Sequence, residues 1–452
     1  MKIRLLLLLV TISLLGKAQQ TTDSRQRDIV FTNVSVIPMT SETVLDNQTV
    51  VVKNGLVTAI GSKLKYDKNA LVIDAKGKYL MPGLAEMHAH VPPVDNVQPM
   101  KDVLLLFAAN GVTTIRSMLG HPMHMELRSQ VKTGEVLGPR IYTSGPSFSG
   151  GSIKTPEEAE AKVRTQKQAG YDFMKMHPGI SKTNFEAIVK TAKEVNMPFA
   201  GHVSFGVGVW RSAEAGYATI DHLDGIMEAL MPRLDTLAEE EAGLFGLFVG
   251  HNADITRLDK VLKTIKENNV WIVPTQTLAE HWQSPNVTSK ELLSWPEMKY
   301  MDKKTLDGWA SAKDNTMKSP AYKPASVLKF IDVRRTIIRE CQKQGVGLLL
   351  GSDAPQVFSV PGFSLKHELN YLVKSGLTPY QALQTGTVNI GKFFKQDNLG
   401  IIKPGAIADL VLLNENPLKD INAVGTVQGV MLNGRWLPKT EIDTMLTKLV
   451  KN

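Results

Sequence analysis

The sequence lacks most of the features that indicate a disulfide-bonded, membrane-spanning or nucleic-acid-binding protein. Its 452 residues include one cysteine, Cys341, so no disulfide can form within the chain, and its stability must come from a large core. Aromatic residues make up 6% of the chain, and no basic cluster alternates with them. The net charge of +8 therefore does not indicate a nucleic-acid partner.

The one long apolar run lies at the N-terminus. Lys2 and Arg4 precede a largely apolar run over residues 5–15, which ends in small residues up to Ala18. This pattern predicts a signal peptide over residues 1–18, cleaved near Ala18, and hence a secreted or periplasmic protein. The run is too short for a permanent transmembrane helix, and no later stretch approaches that length, so we expect no membrane span.

Both ends of the remaining chain carry short β-rich runs. The N-terminal run contains Asn54-Gly55 and the C-terminal run contains Asn433-Gly434, each a strong hairpin signal. The two ends therefore predict a small β-sandwich that the chain leaves and re-enters. We place its halves at residues 19–80 and 398–452.

Between these halves, short apolar runs alternate with longer helical stretches, which is typical of a parallel sheet with crossover helices. Eight such runs predict a (β/α)₈ TIM barrel over residues 81–397. The predicted strands end near GLAEMHAH (83–90), VTTIRS (112–117), RIYTSG (140–145), FMKMH (173–177), PFAGHV (198–203), TIDHL (219–223), WIVPTQ (271–276) and VGLLLGSD (346–353).

Potential metal ligands recur at the ends of these strands. His88 and His90 are two residues apart, so on an extended strand both side chains point to the same face, at the barrel end where active sites lie. Imidazole nitrogens are ligands that zinc-like ions prefer. Further ligand-type residues at other strand ends make coincidence improbable: Lys175, His202, His222 and Asp353.

These motifs and their order closely resemble the amidohydrolase superfamily, in particular its imidazolonepropionase-like branch, which includes binuclear prolidase-like and carboxypeptidase-like enzymes. The resemblance covers nearly the whole chain after the signal segment. It includes MPGLAEMHAH, GVTTIRS, GYDFMKMH, AGHVSF, IDHLDG, LLLGSDAP and the closing IIKPGAIADLVLLNENPL.

The resemblance implies a site for two divalent ions, with zinc as the expected metal. His88 and His90 would bind the more buried ion, and His202 and His222 the more exposed one. Lys175 would bridge both as a carbamylated lysine, and Asp353 would contact the buried ion and act as the catalytic acid and base. Two ions can lower the pKa of a shared water toward 7, which supplies a nucleophile at neutral pH.

The sequence accordingly predicts an exported binuclear amidohydrolase that cleaves a carbon–nitrogen bond of a short peptide or N-acyl amino acid. His177 and Arg116 are candidates for substrate contact. One alternative is a mononuclear cyclic-amide hydrolase or deaminase, which would not need Lys175 as a ligand. A second is a non-catalytic binding protein on the same fold, and homo-oligomer formation is left open.

The long segment 277–345 follows the seventh predicted strand. It contains Trp282, Trp295 and Trp309 and carries an excess of positive charge. We expect it to cover the barrel mouth and to favour substrates with a free carboxylate, with packing of the tryptophans against the barrel as the alternative.

Overall fold

The computed structural model describes residues 27–233 and 236–451, so the predicted signal peptide lies outside the described residues. The strands are β1 (Ile29–Val36), β2 (Leu45–Lys53), β3 (Leu56–Gly61), β4 (Leu71–Asp74), β5 (Tyr79–Pro82), β6 (Leu84–Ala89), β7 (Val112–Ser117), β8 (Arg140–Thr143), β9 (Met174–Met176), β10 (Phe199–Gly201), β11 (Thr219–Asp221), β12 (Trp271–Val273), β13 (Leu410–Leu413), β14 (Val427–Leu432) and β15 (Arg435–Pro438).

Helices fill most of the connections. They are α1 (Val97–Ala109), α2 (Met123–Thr133), α3 (Pro156–Gln168), α4 (Lys182–Glu194), α5 (Gly208–Ala215), α6 (Ile226–Ala229), α7 (Glu239–Ala242), α8 (Leu258–Glu267), α9 (Gln276–Leu278), α10 (Ser289–Leu293), α11 (Lys303–Lys318), α12 (Pro324–Gln344), α13 (Phe363–Lys374), α14 (Pro379–Gly386), α15 (Val388–Phe394) and α16 (Lys439–Lys448). Within the described residues, no helix combines the length and apolar character needed to cross a bilayer.

Strands from both chain ends form one mixed sheet. Its order is β15-β14-β13-β5-β1-β2-β3, with β4 also paired to β1. Antiparallel pairing of β5 with β13 joins the N-terminal strands to the C-terminal ones, and Asn54-Gly55 and Asn433-Gly434 form the turns of the two predicted hairpins. The two ends therefore share one hydrogen-bonded sheet, while a two-layer sandwich stays a prediction.

The middle of the chain forms two parallel sheets, β6-β7-β8 and β9-β10-β11-β12. The residues of β6, β7, β9 and β10 are all buried, as expected for a parallel sheet covered by helices. Single bridges link the sheets: Ser144 pairs with Phe173 after β8, and Ile272 in β12 pairs with Leu348. The structure is thus α/β with parallel sheets, and among the described residues the strands do not form one continuous closed sheet.

The prediction of an eighth strand at residues 346–353 is wrong. This segment makes one isolated bridge to β12 and one backbone hydrogen bond to β6, in which Met87 N donates to Leu350 O. The Leu350 N–H is used elsewhere, since it donates to the carbonyl of Thr385 in α14. A regular ladder between this segment and β6 cannot form, because the Leu350 N–H that it would need is already bonded to a helix.

Candidate metal centre

The six predicted ligands lie at the carboxyl ends of the parallel strands or of the segment that precedes α13. Their side chains are largely buried, with exposed fractions of 0% for Lys175 and 6% for Asp353. Side chains two apart on a strand share a face, which brings His88 and His90 to the same side of β6. The structure therefore brings together residues that are up to 265 positions apart, from His88 to Asp353.

Asp353 stands at the centre of the first group. Its Oδ1 lies 2.5 Å from His90 Nε2 and 3.4 Å from His88 Nε2. Lys175 Nζ lies 3.2 Å from the same His88 nitrogen. The Nε2 edges of both β6 histidines, the lysine amine and the carboxylate therefore point into one small volume.

The other two histidines stack beside this group. The His222 ring centroid lies 4.5 Å from that of His88 and 4.4 Å from that of His202. His222 Nδ1 lies 2.8 Å from Thr275 Oγ1, and His202 Nδ1 lies 2.6 Å from Asp224 Oδ2. Partners on Nδ1 fix the ring orientation and leave Nε2 as the free nitrogen, which is the usual arrangement of metal-binding histidines.

The donor set fits a divalent ion. One ligand atom each from His88, His222 and Asp353 lie within 4.8 Å of one another. His222 Nε2 is buried and has no hydrogen-bond partner in the described part of the chain, although buried polar atoms are nearly always paired. Burial lowers the pKa of His88 and of His222 well below the usual value, which favours the neutral, ligating form of both rings.

Lys175 is an unusual residue for a strand interior. Burial lowers the pKa of its amine to about 8, so the neutral form is more accessible than in an ordinary lysine. The neighbouring strand makes room for the side chain: a Cβ on Gly201 would lie 2.8 Å from Lys175 Cδ and 2.6 Å from Met176 O. Glycine at 201, with a φ of 121°, is therefore a steric requirement of the lysine.

Several supporting residues were missed by the sequence analysis. Asp221 Oδ2 lies 2.9 Å from His88 Nδ1, and the Glu86 carboxylate accepts hydrogen bonds from His88 N and from Ser352 N and Oγ. Both acids are fully buried. Their positions next to predicted ligands, in Glu86-Met87-His88 and Asp221-His222, are a signal that could have indicated them.

The two candidates for substrate contact lie in different surroundings. Arg116 is 2% exposed, and its guanidinium donates to Met87 O, Thr219 Oγ1 and Asp221. These hydrogen bonds hold the guanidinium beside Asp221, and a role of Arg116 in substrate contact stays a prediction. His177 lies beside the site, with its ring centroid 5.0 Å from that of His202.

Coverage of the barrel mouth by segment 277–345 stays a prediction. The tryptophans of this segment pack in a separate hydrophobic cluster with α1 and with residues near Phe358, which supports the packing alternative. A residue of the earlier connection between β11 and β12 packs against two of the predicted ligands. There Phe245 stacks on His222 at 4.9 Å and approaches His202 at 6.4 Å between ring centroids.

The family model described as "Amidohydrolase family" matches residues 79–437, which include strands β5 to β14 and all six predicted ligands. The chain belongs to the amidohydrolase family. It is therefore a hydrolase of the class that acts on carbon–nitrogen bonds, and its clustered histidine and carboxylate ligands agree with the metal dependence of this superfamily.

Three proteins illustrate the similarity. The chain is 23% identical over 444 residues to an ochratoxinase from Aspergillus niger, covering 89% of this chain and 84% of that enzyme. The structure of a bottromycin amidohydrolase superimposes with a TM-score of 0.70 at 20% identity, covering 94% of this chain and 91% of that one. A prolidase solved with N-methylphosphonate-L-proline gives a TM-score of 0.66 at 22% identity, covering 91% and 99%. Likeness at these identities establishes a common fold.

Proposed function

We propose that this chain is an exported, binuclear metal-dependent hydrolase that cleaves an amide or peptide-type carbon–nitrogen bond. The observation that carries the proposal is the convergence of four histidines, one buried lysine and one carboxylate on a single volume at the strand ends. Export rests on the sequence of the first 18 residues alone.

We further propose that the two parallel sheets belong to one barrel of the (β/α)₈ type over residues 81–397, inserted in a β-domain made of residues 19–80 and 398–452. In this barrel the segment 346–353 lies between β12 and β6 in place of a regular eighth strand. The bridges from Ser144 to Phe173 and from Ile272 to Leu348, with the Met87 to Leu350 hydrogen bond, run in the order that closure would require. The amidohydrolase match over residues 79–437 supports this architecture.

In this proposal His88 and His90 would hold the more buried ion, and His202 and His222 would hold the more exposed one. Lys175 would serve as a ligand as its carbamate, because a neutral amine can capture carbon dioxide and become an anionic carboxylate with two oxygens. An ammonium among cations would be strongly disfavoured. When bound, the ions would acidify a water and polarise the substrate carbonyl.

Asp353 carries the proton in this proposal. Its carboxylate accepts a proton from the attacking water and delivers it to the leaving nitrogen, since an amide anion is a poor leaving group. The Asp353 oxygen that makes the 2.5 Å contact with His90 Nε2 also lies 3.4 Å from His88 Nε2, so the proposed proton acceptor lies among the proposed ligands. Phe245 covers the rings of His222 and His202 and reduces the access of bulk water.

A short peptide or an N-acyl amino acid is the proposed substrate class. The names of the similar enzymes, a prolidase and an ochratoxinase, support an amide-type bond. The test is metal analysis of the purified protein followed by hydrolysis assays on dipeptides, N-acyl amino acids and cyclic amides. Two ions per chain with turnover of the first two classes is the expected result, and a metal-loaded protein that hydrolyses no amide would contradict the proposal.

A second candidate is a single-ion hydrolase of cyclic amides or a deaminase. It is favoured by the compactness of His88, His222 and Asp353, which can bind one ion without Lys175. The two candidates differ in stoichiometry, so one ion per chain and cyclic-amide turnover that survives Lys175→Ala would decide for the second.

A further inference from the structure

A cavity of about 650 Å³ opens beside the metal centre. His202, Asp224 and Phe245 line both the cavity and the centre, so a substrate held at the ions would extend into it. The remaining walls come from the segment after β10 and from the connection between β11 and β12. No residue of 277–345 is among the described residues that line it.

The walls of this cavity combine acidic and apolar side chains. Glu228, Glu239 and Glu240 line it together with Asp224, and no lysine or arginine of the described chain does so. The apolar part consists of Val203, Phe205, Val207, Val209, Trp210 and Leu244. A chain with a net charge of +8 thus presents a locally negative, apolar pocket next to its site.

One carboxylate oxygen of Glu228 lacks a hydrogen-bond partner among the described residues. Glu228 lies in α6, and the oxygen is its buried Oε2. Burial, and then the negative charge of Asp224, raise the pKa of Glu228 to about 7. A desolvated carboxylate with an unpaired oxygen is costly, so a cationic ligand group that enters the cavity would be favoured.

We propose that this cavity binds the part of the substrate that carries a free ammonium group beside an apolar side chain, with Glu228 as the ionic partner. The inference rests on the proposed amide hydrolysis and specifies its substrate class. It replaces the carboxylate preference that the sequence suggested, because the cationic segment 277–345 does not reach the cavity. Glu239 and Glu240 lie at the exposed rim of the cavity. Their negative charges would attract the ammonium group of a substrate toward Glu228.

The ammonium could belong to the α-amine or to a lysine side chain, and two substrate pairs separate these sources. The first pair is leucyl-leucine and its N-acetyl derivative. The second is N-acetyl-lysyl-leucine and N-acetyl-norleucyl-leucine. In each pair one member lacks the positive charge, and kcat/KM is measured for all four substrates with the metal-loaded enzyme.

We expect one pair to show a preference of about 10- to 100-fold for the charged member, the range of a charge-assisted hydrogen bond. Glu228→Gln, which keeps the shape but removes the charge, should bring this ratio close to one. Glu241→Gln is the matched control, because Glu241 is an exposed acid of α7 that does not line the cavity, and its ratio should match the wild type.

Binding provides a readout that does not depend on turnover. Calorimetric titration compares leucinamide with N-acetyl-leucinamide, and N-acetyl-lysinamide with N-acetyl-norleucinamide. In the pair that matches the preferred substrate, the charged member should bind at least tenfold more tightly, and Glu228→Gln should remove the difference. A kcat/KM ratio near one in both substrate pairs with an active enzyme, or equal binding within both amide pairs, would overturn the ammonium site while leaving the hydrolase intact. If no peptide is hydrolysed, the proposed function fails, and the titration still decides the binding site.

Discussion

At the scale of residues, the centre is built from side chains on strained backbone. His222, Thr275 and Asp353 have φ values of 64°, 46° and 65°, a region that residues other than glycine seldom adopt. Such strain persists only where surrounding bonds hold it, and it is common at functional sites. Here Arg334 donates to His222 O at 2.7 Å, and His222 N donates to Val273 O at 2.9 Å.

Lys175→Ala tests the bridge between the two ions. The variant should lose one ion per chain and most of its activity, because alanine cannot form the carbamate that is proposed to hold the two ions. Metal analysis and kcat measure both effects, and small carboxylates with excess metal should partly restore the rate. Retention of both ions and of wild-type turnover would contradict the bridging role.

Asp353→Asn tests the proton transfer. The amide keeps the shape of the carboxylate but cannot accept the proton, and loss of general acid–base help lowers kcat by about 10² to 10⁴. Metal content should fall less than in His88→Ala, which serves as the comparison. A loss of less than about tenfold would remove Asp353 from this role.

At the scale of elements, sequence patterns located most of the fold. β7 spans 112–117, as its β-branched run predicted, and α3 and α14 begin after Thr155 and Thr378, whose side chains cap them. The sequence pattern could not show that Leu350, in the eighth predicted strand, would donate its backbone N–H to Thr385 O in α14. Nor could local periodicity identify Glu86 and Asp221 as buried partners of His88, because burial of acids depends on distant strands.

Helix α12 supports the strand ends through Arg334. Its guanidinium donates to His222 O, Pro274 O and Gln276 Oε1 at 2.7 to 3.0 Å, which ties the helix to the ends of β11 and β12. Arg334→Lys cannot reach all three acceptors, and buried acceptors left unpaired cost about 1–3 kcal/mol each.

We therefore expect a lower melting temperature and weaker retention of the ion at His222 in Arg334→Lys. Thermal denaturation and metal retention during dialysis measure these two effects. Arg339→Lys, a change at a more exposed arginine of the same helix, is the control and should change neither. Wild-type stability in Arg334→Lys would show that the helix does not brace the site.

Strand β10 provides a second prediction at this scale. Gly201→Ala places a methyl group 2.8 Å from Lys175 Cδ, so the lysine must move or the strands must separate. The variant should lose metal as Lys175→Ala does, although all six ligands remain. Gly206→Ala, where a Cβ meets nothing within 4 Å, is the control. Full metal content in Gly201→Ala would contradict the steric role of the glycine.

At the scale of the whole molecule, the chain leaves one sheet, builds the hydrolase core and returns to the same sheet. β5 ends at Pro82, and β6, which carries His88, begins two residues later, so the β-domain and the metal centre are almost contiguous. Asp409 at the start of β13 accepts from Gly83 N and pairs with Arg140 of β8 at 3.2 Å. Unfolding of the core would therefore break these contacts and separate the N-terminal strands of the sheet from its C-terminal strands.

This arrangement predicts that metal removal destabilises the chain as one unit. A ligand that binds only the folded state stabilises it by about 2.7 kcal/mol when its free concentration is 100 times Kd, so treatment with a chelator should lower the melting temperature. Calorimetry should show one transition with and without metal, and added Zn²⁺ should restore the original temperature. Lys175→Ala should show a smaller shift, because it binds fewer ions before the chelator is added. Two separate transitions, of which only one responds to metal, would mean that the β-domain unfolds independently of the core despite the strands that the two chain ends share.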